Sequence, residues 1–167
     1  MPAQWNAIYT YLTGYGFAAR AVLLGRGGAA GEAMGWAIAN PEKVACIYAE
    51  NPILESKLML GGKAPLDTLA PLAKAGVPLL FVCGAEDPSV AGEPQSSGQA
   101  PTTGQARSTA KALATGQAQS TAQAQLAETR YHKAGGNLIL FIRKNEGHFL
   151  KPEDPAKVLD FIGRSTR

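Results

Sequence analysis

The chain has 167 residues, of which 46% are hydrophobic, and a formal net charge of +3 at pH 7. This length suffices for one domain with a buried core. Its basic residues are scattered among acidic ones, which argues against nucleic-acid binding. No apolar run approaches the ~18 residues that a membrane span needs. Residues 1–5 lack the basic start and apolar stretch of a signal peptide, so we expect a cytoplasmic location by default.

Two cysteines and two histidines restrict the metal and redox chemistry open to this chain. Cys46 and Cys83 each lie in an apolar, strand-like run, which favours buried free thiols over a disulfide or a metal pair. His132 and His148 are the only histidines, and no group of Cys and His has the spacing of metal ligands. We therefore expect neither a metal nor a cofactor.

Short apolar runs alternate with helical patterns along most of the chain. The apolar spacing of Ile8, Tyr9 and Leu12 indicates a first helix, and the Asn40-Pro41 pair ends the second, because the residue before proline disfavours helical geometry. The predicted elements, in chain order, are helix 5–13, strand 21–24, helix 29–39, strand 44–49, helix 66–75, strand 79–83, helix 122–133, strand 138–143 and helix 155–162. Strands separated by helices predict an α/β fold with a reduced parallel sheet of about four strands.

Between the third and fourth strands the composition changes. Residues 88–125 are mostly Ala, Gln, Ser, Thr and Gly, and the sequence of 103–110 returns with small changes at 115–122. Such a segment buries too little apolar surface to offset the entropy of ordering it. We therefore predict one domain formed by 1–87 and 126–167, with 88–125 as a solvated, low-complexity insertion.

The segment 21–31 runs from an apolar strand through a group of glycines into a helix, and it has the shape of a catalytic elbow. In the G-x-S-x-G turn, small flanking residues allow a strained bend that exposes a serine hydroxyl above the sheet. Here Gly25 and Ala29 occupy the flanking positions, and Gly27 stands where the serine would be. No Ser, Cys or Thr occurs from Leu23 to Gly35.

With two further landmarks, this turn resembles the C-terminal half of the α/β-hydrolase family. The turn is followed by 36–44, which looks like the family's post-elbow helix leading to the next strand. The other landmarks follow the third and fourth strands, and they read Phe81-Val82-Cys83-Gly84-Ala85-Glu86-Asp87 and Asn145-Glu146-Gly147-His148. The order of elbow, acid and histidine is the one that the family uses. The resemblance covers most of the chain outside the insertion.

The resemblance implies the roles of five residues. Asp87 matches the acid and His148 the base of a triad, and both follow strand ends that a parallel sheet brings to one edge. Gly27 occupies the nucleophile position, or Gly25 does if the glycines are aligned two residues earlier. The N–H of Gly28 would remain from the oxyanion hole, whose second donor comes from a part of the family that has no counterpart here. We expect a relative of carboxyl-ester hydrolases that is inactive or severely impaired, with a small ester or acyl compound as its ligand.

Two other functions remain open. In the first, the chain is a weak esterase that uses Ser56, Ser89 or a water activated by His148. In the second, it is a dinucleotide-binding module. The pattern Gly25-x-Gly27-x-x-Ala30 follows a strand and opens a helix, and Glu50 ends the next strand, near where a ribose-binding acid would lie.

The strand 21–24 also predicts how the chain associates. In the family the elbow strand lies inside the sheet, beside a strand that this chain does not contain. Here 21–24 would be an apolar, unprotected edge, which is a template for pairing with another chain. We therefore expect self-association through this edge, or instability of the isolated chain.

Overall fold

The computed structural model describes residues 2–55, 63–87, 119–150 and 155–166. Four strands and five α-helices alternate along these residues. In chain order they are α1 (Pro2–Gly14), β1 (Ala21–Arg26), α2 (Gly27–Ala39), β2 (Val44–Glu50), α3 (Ala70–Lys74), β3 (Leu79–Gly84), α4 (Gln119–Lys133), β4 (Leu138–Arg143) and α5 (Pro155–Ser165). Two short 3₁₀ helices, Pro41–Lys43 and Pro65–Asp67, precede β2 and α3.

Two predicted helices differ from the observed ones. The helix predicted over 66–75 is divided into the 3₁₀ helix at Pro65 and the short α3, which has Pro71 in its first turn. Proline lacks an N–H and is tolerated only in the first turn, so each proline begins its own helix. The helix predicted from Ala122 begins at Gln119 instead, within the segment 88–125. Residues 88–118 lie outside the described residues.

The four strands form one parallel sheet in the order β1-β2-β3-β4, which confirms the predicted α/β architecture. The register aligns the carboxyl ends of the strands: Arg26 lies beside Glu50, Glu50 beside Val82, and Gly84 beside Arg143. The loops that follow all four strands therefore lie along one edge of the sheet, where ligand sites of parallel sheets form.

Helices cover both faces of the sheet. The larger core lies on the face that α2, α3 and α4 cover, and it includes Ile47, Phe81 and Tyr131. On the opposite face, Leu80 and Val82 pack with α5. All six residues of β3 are buried, because strands inside a parallel sheet are covered on both sides. This buried strand gives the loop after it a rigid base.

At one edge of the described sheet lies β1, with the side chain of Leu24 60% exposed. The first helix, α1, packs beside it on α2, where Trp5 and Tyr9 contact the ring of Trp36 at centroid distances of 6.1 Å and 5.7 Å. Trp36 Nε1 donates a hydrogen bond of 2.9 Å to Asn6. Within the described part of the chain, no helix has the length and apolar character needed to span a bilayer.

Candidate functional site

The turn between β1 and α2 contains two glycines, Gly25 and Gly27, that a larger residue would disturb for different structural reasons. Gly27 has a φ of +55°, in the left-handed region that side chains disfavour. Gly25 allows close packing instead, because a Cβ there would lie 2.6 Å from Ala30 Cα and 2.8 Å from Ala30 N. Gly28 is in the first turn of α2, where backbone N–H groups have no carbonyl partner within the helix.

Asp87 and His148 lie next to each other, although 61 positions separate them in the chain. Asp87 follows β3 and is completely buried, whereas the side chain of His148, in the loop after β4, is 22% exposed. Asp87 Oδ1 and His148 Nδ1 are 3.2 Å apart. Because an ionised carboxylate only accepts hydrogen bonds, this contact favours a proton on Nδ1. Such a contact fixes both the orientation and the tautomer of an imidazole.

Gly27 lies close to the same imidazole ring. A Cβ at Gly27 would be 3.6 Å from His148 Cε1, an ordinary van der Waals distance. Apart from its chain neighbours and the nearby backbone of α2, it would meet no other atom of the described residues within 4 Å. The space at Gly27 therefore admits a small side chain in contact with His148. Gly25 does not offer this space, since its Cβ would overlap the backbone of α2. Of the two candidate nucleophile positions, Gly27 is the one with space for a small side chain, and that space borders His148.

Asn51, directly after β2, connects the loops that carry the acid and the histidine, and sequence reasoning missed it. Its side chain is fully buried. Nδ2 donates to the carbonyl oxygens of Gly147 (3.2 Å) and His148 (2.9 Å), while Oδ1 accepts from the N–H of Gly84 (2.7 Å). Its φ of +42° is left-handed, which asparagine tolerates better than most residues. The sequence feature that could have indicated Asn51 is the position of an asparagine directly after a predicted strand.

The first turn of α4 brings a second set of polar residues to the site. Ser120, Thr121 and Gln123 are all buried. Ser120 Oγ donates to Asp87 Oδ2 at 2.9 Å, and Thr121 Oγ1 donates to the carbonyl of Gly84 at 3.1 Å. Gln123 Oε1 accepts from the N–H of Leu54 at 2.7 Å. The composition of this segment predicts solvated chain, and nothing in its pattern marks these residues.

The thiol nearest the acid does not have the properties of a nucleophile. Cys83 is fully buried at the end of β3. Burial, together with the negative charge of Asp87, raises the pKa of Cys83 to about 12, although a hydrogen bond involving Asn51 opposes the shift. Since the thiolate is the reactive form, Cys83 is inert near neutral pH. Burial likewise raises the pKa of Cys46.

Glu50, which would bind the ribose in the dinucleotide hypothesis, accepts hydrogen bonds from side chains of this chain. Arg26 Nε donates to Glu50 Oε2 at 2.7 Å, and the guanidinium makes a second, very short contact with the same oxygen. Tyr48 OH donates to Glu50 Oε1 at 2.7 Å. Both carboxylate oxygens thus have partners inside the protein. Of the alternative nucleophiles, Ser56 and Ser89 lie outside the described residues.

The described residues were also examined for groups of side chains that could bind a metal ion. Among these residues, no group of three or more His, Cys, Asp or Glu side chains is placed to hold a metal ion.

The chain was compared with protein families, curated proteins and solved structures. No protein-family model and no curated protein matches the chain. Among solved structures, the chain is similar to a predicted CIB-like hydrolase from Thermoplasma acidophilum, with 18% identity and a TM-score of 0.49. The match covers 95% of this chain and 56% of that one, so the chain spans little more than half the length of that hydrolase.

Proposed function

We propose that Gly27, Asp87 and His148 form the site of a protein related to carboxyl-ester hydrolases in which the nucleophile is missing. In this proposal Asp87 holds the imidazole, His148 is the base, and Gly28 supplies a backbone N–H for an oxyanion. Gly27 stands where a serine would attack a small ester or acyl compound. The chain is then inactive as an esterase, or severely impaired.

The observation that carries the proposal is the position of Gly27 relative to His148. The Cβ position of Gly27 lies 3.6 Å from Cε1, the ring carbon between the two nitrogens. Since Nδ1 contacts Asp87, the proposal assigns the role of base towards a group at Gly27 to Nε2. The left-handed φ of Gly27 also agrees with the strained strand-to-helix turn of an elbow. These features support a triad geometry with glycine in place of serine.

The missing hydroxyl determines how large the loss of activity should be. Removing the serine of a triad costs on the order of a million-fold in kcat, and this site has only one identified oxyanion donor to stabilise the transition state. Cys83 does not replace the serine, because it is buried and its pKa is raised to about 12. We therefore expect ester hydrolysis close to the uncatalysed rate.

The dinucleotide hypothesis receives less support from the same turn. It needs Glu50 to accept hydrogen bonds from a ribose, but Arg26 and Tyr48 already donate to both Glu50 oxygens. Binding of NAD measured by calorimetry tests this alternative directly. Micromolar or tighter binding would favour the dinucleotide module over the hydrolase proposal.

The direct test is a gain of activity on Gly27→Ser. The assay is hydrolysis of p-nitrophenyl acetate by the unmodified chain, Gly27→Ser and Gly27→Ala. The alanine variant is the matched control, because it adds the same Cβ at the same φ but no hydroxyl. We expect Gly27→Ser alone to rise about a hundred-fold above background, a modest gain for a site with one identified oxyanion donor. Adding His148→Ala should remove that gain.

Two results would contradict the proposal. In one, the unmodified chain hydrolyses the ester and His148→Ala abolishes the activity, which requires a nucleophile elsewhere. In the other, a folded Gly27→Ser variant is no faster than Gly27→Ala, which means that the Asp87–His148 pair does not activate a hydroxyl at this position. Circular dichroism of each variant establishes that it is folded.

A further inference from the structure

The carboxylate of Asp87 is held from two sides. Oδ1 is 3.2 Å from His148 Nδ1, and Oδ2 accepts a 2.9 Å hydrogen bond from Ser120 Oγ. Ser120 is 1% exposed and Asp87 is 0% exposed. A buried hydroxyl that donates to an ionised carboxylate makes a charge-assisted hydrogen bond, which is stronger and more directional than a neutral one. The rotation of the Asp87 carboxylate is therefore fixed by Ser120 as well as by His148.

Ser120 can fix this rotation because the start of α4 is itself anchored. Thr121 on one side donates to the carbonyl of Gly84, at the end of β3. Gln123 accepts from the N–H of Leu54, in the loop after β2. Further along α4, Tyr131 is completely buried and its hydroxyl donates to the carbonyl of Val77. These contacts leave the Ser120 hydroxyl little freedom to move away from Asp87.

Ser120 lies near the start of α4, so the Asp87 carboxylate that it contacts also lies near a helix N-terminus. Negative charge is stabilised near the N-terminus of a helix by the helix dipole. The Asp87 carboxylate lies there through its contact with the second residue of α4. The helix dipole therefore acts on Asp87 together with the hydrogen bond from Ser120.

We infer that Ser120 is a positioning residue, which orients the Asp87 carboxylate and through it holds His148 as the Nδ1–H tautomer. The inference rests on the proposed function, because it assigns Ser120 to the same Asp87–His148 site. It also gives a role to residues at the end of the segment 88–125. No step of a reaction passes through Ser120, which reaches the imidazole only by way of Asp87.

The tautomer of His148 can be measured without any catalytic activity. Long-range ¹H–¹⁵N correlation spectra distinguish Nδ1–H from Nε2–H, and at a pH of about 9 an ordinary imidazole is neutral. The chain has only two histidines, so a His148→Gln spectrum assigns the signals. We expect mainly Nδ1–H in the unmodified chain and a mixture with a large Nε2–H share in Ser120→Ala. Ser120→Thr keeps the hydroxyl and should restore the Nδ1–H form.

Thr121→Ala is the matched control for this experiment. It removes a buried hydroxyl from the same helical turn, but its hydrogen bond goes to a backbone carbonyl and not to Asp87. We expect Thr121→Ala to lose stability and to keep the Nδ1–H tautomer. If Ser120→Ala does not fold, Ser120→Cys keeps the size of the side chain with a weaker donor and should show the same shift.

A second readout separates this inference from the proposed function. In the Gly27→Ser background, Ser120→Ala should lower kcat for p-nitrophenyl acetate by about ten-fold, since misorientation of a catalytic group costs rate. If Gly27→Ser is inactive but Ser120→Ala still shifts the tautomer, the positioning role stands and the hydrolase proposal fails. If Gly27→Ser is active and Ser120→Ala changes the tautomer and kcat no more than Thr121→Ala does, the positioning role is refuted.

Discussion

Asn51 should be among the most costly residues to truncate, because one buried side chain serves three backbone groups from two loops. Asn51→Ala removes two donated hydrogen bonds, to Gly147 and His148, and one accepted from Gly84. The buried N–H of Gly84 then lacks its partner, at a cost of about 1–3 kcal/mol, and each donated bond contributes about 1 kcal/mol. Alanine at a left-handed φ adds about 1 kcal/mol. The expected loss is therefore about 4–6 kcal/mol of the free energy of unfolding.

Asn145 provides a matched control for the backbone part of this cost. It also has a left-handed φ, +59°, but its side chain is exposed. Asn145→Ala should therefore lose only the conformational contribution of about 1 kcal/mol. Asn51→Asp is a second comparison, since it keeps an acceptor for Gly84 but places negative charge against the carbonyls of Gly147 and His148.

Urea unfolding followed by circular dichroism measures these differences. We expect the midpoint to fall far more for Asn51→Ala than for Asn145→Ala, with a similar m value for the two variants. For a domain whose total stability is about 5–15 kcal/mol, the Asn51→Ala variant would be close to unfolded at the low end of this range. If the two alanine variants differ by less than about 1 kcal/mol, the hydrogen bonds of Asn51 do not hold the loops together.

Three further predictions follow from the edge strand, the thiols and the glycine turn. Light scattering should find self-association that Leu24→Lys reduces, because charge on an edge strand opposes pairing; a monomer at all concentrations would contradict this. Cys46 and Cys83 are buried, and burial raises both pKa values. Ellman's reagent at a pH of about 8 should therefore label neither thiol until urea unfolds the chain; fast native labelling would show that they are accessible. Gly25→Ser overlaps the backbone of Ala30, so its thermal midpoint should fall below that of Gly27→Ser; equal midpoints would contradict the packing argument.

Local sequence was sufficient for the main elements of the fold. The strand at 138–143 was predicted with its observed bounds, and the other three strands to within two residues at each end. These strands are short apolar runs next to turn-forming residues, so their identity depends on near neighbours in the chain. The parallel arrangement follows from the alternation of strands with helices. The predicted helix 66–75 was wrong in its bounds, because Pro71 begins a separate helix, α3, inside that range.

The candidate site, unlike the strands, could be predicted from the sequence only in part. The order of the glycine turn, Asp87 and His148 along the chain was enough to expect an acid and a histidine at one edge of the sheet. The difference in space between Gly25 and Gly27 depends on the packing of the turn, because the backbone of Ala30 closes the space at Gly25. Local sequence contains no information about that distance.

Asn51 and Ser120 depended on tertiary structure entirely. Their partners lie between 33 and 97 positions away in the chain, and a polar side chain acquires such partners only after the sheet has formed. Composition predicts that a run of Ala, Gln, Ser and Thr stays in water, since it has little apolar surface to bury. The fold instead supplies a buried carboxylate and a carbonyl that satisfy Ser120 and Thr121. Sequence therefore determined the strands and their parallel arrangement, whereas long-range hydrogen bonding decided which polar residues surround the Asp87–His148 pair.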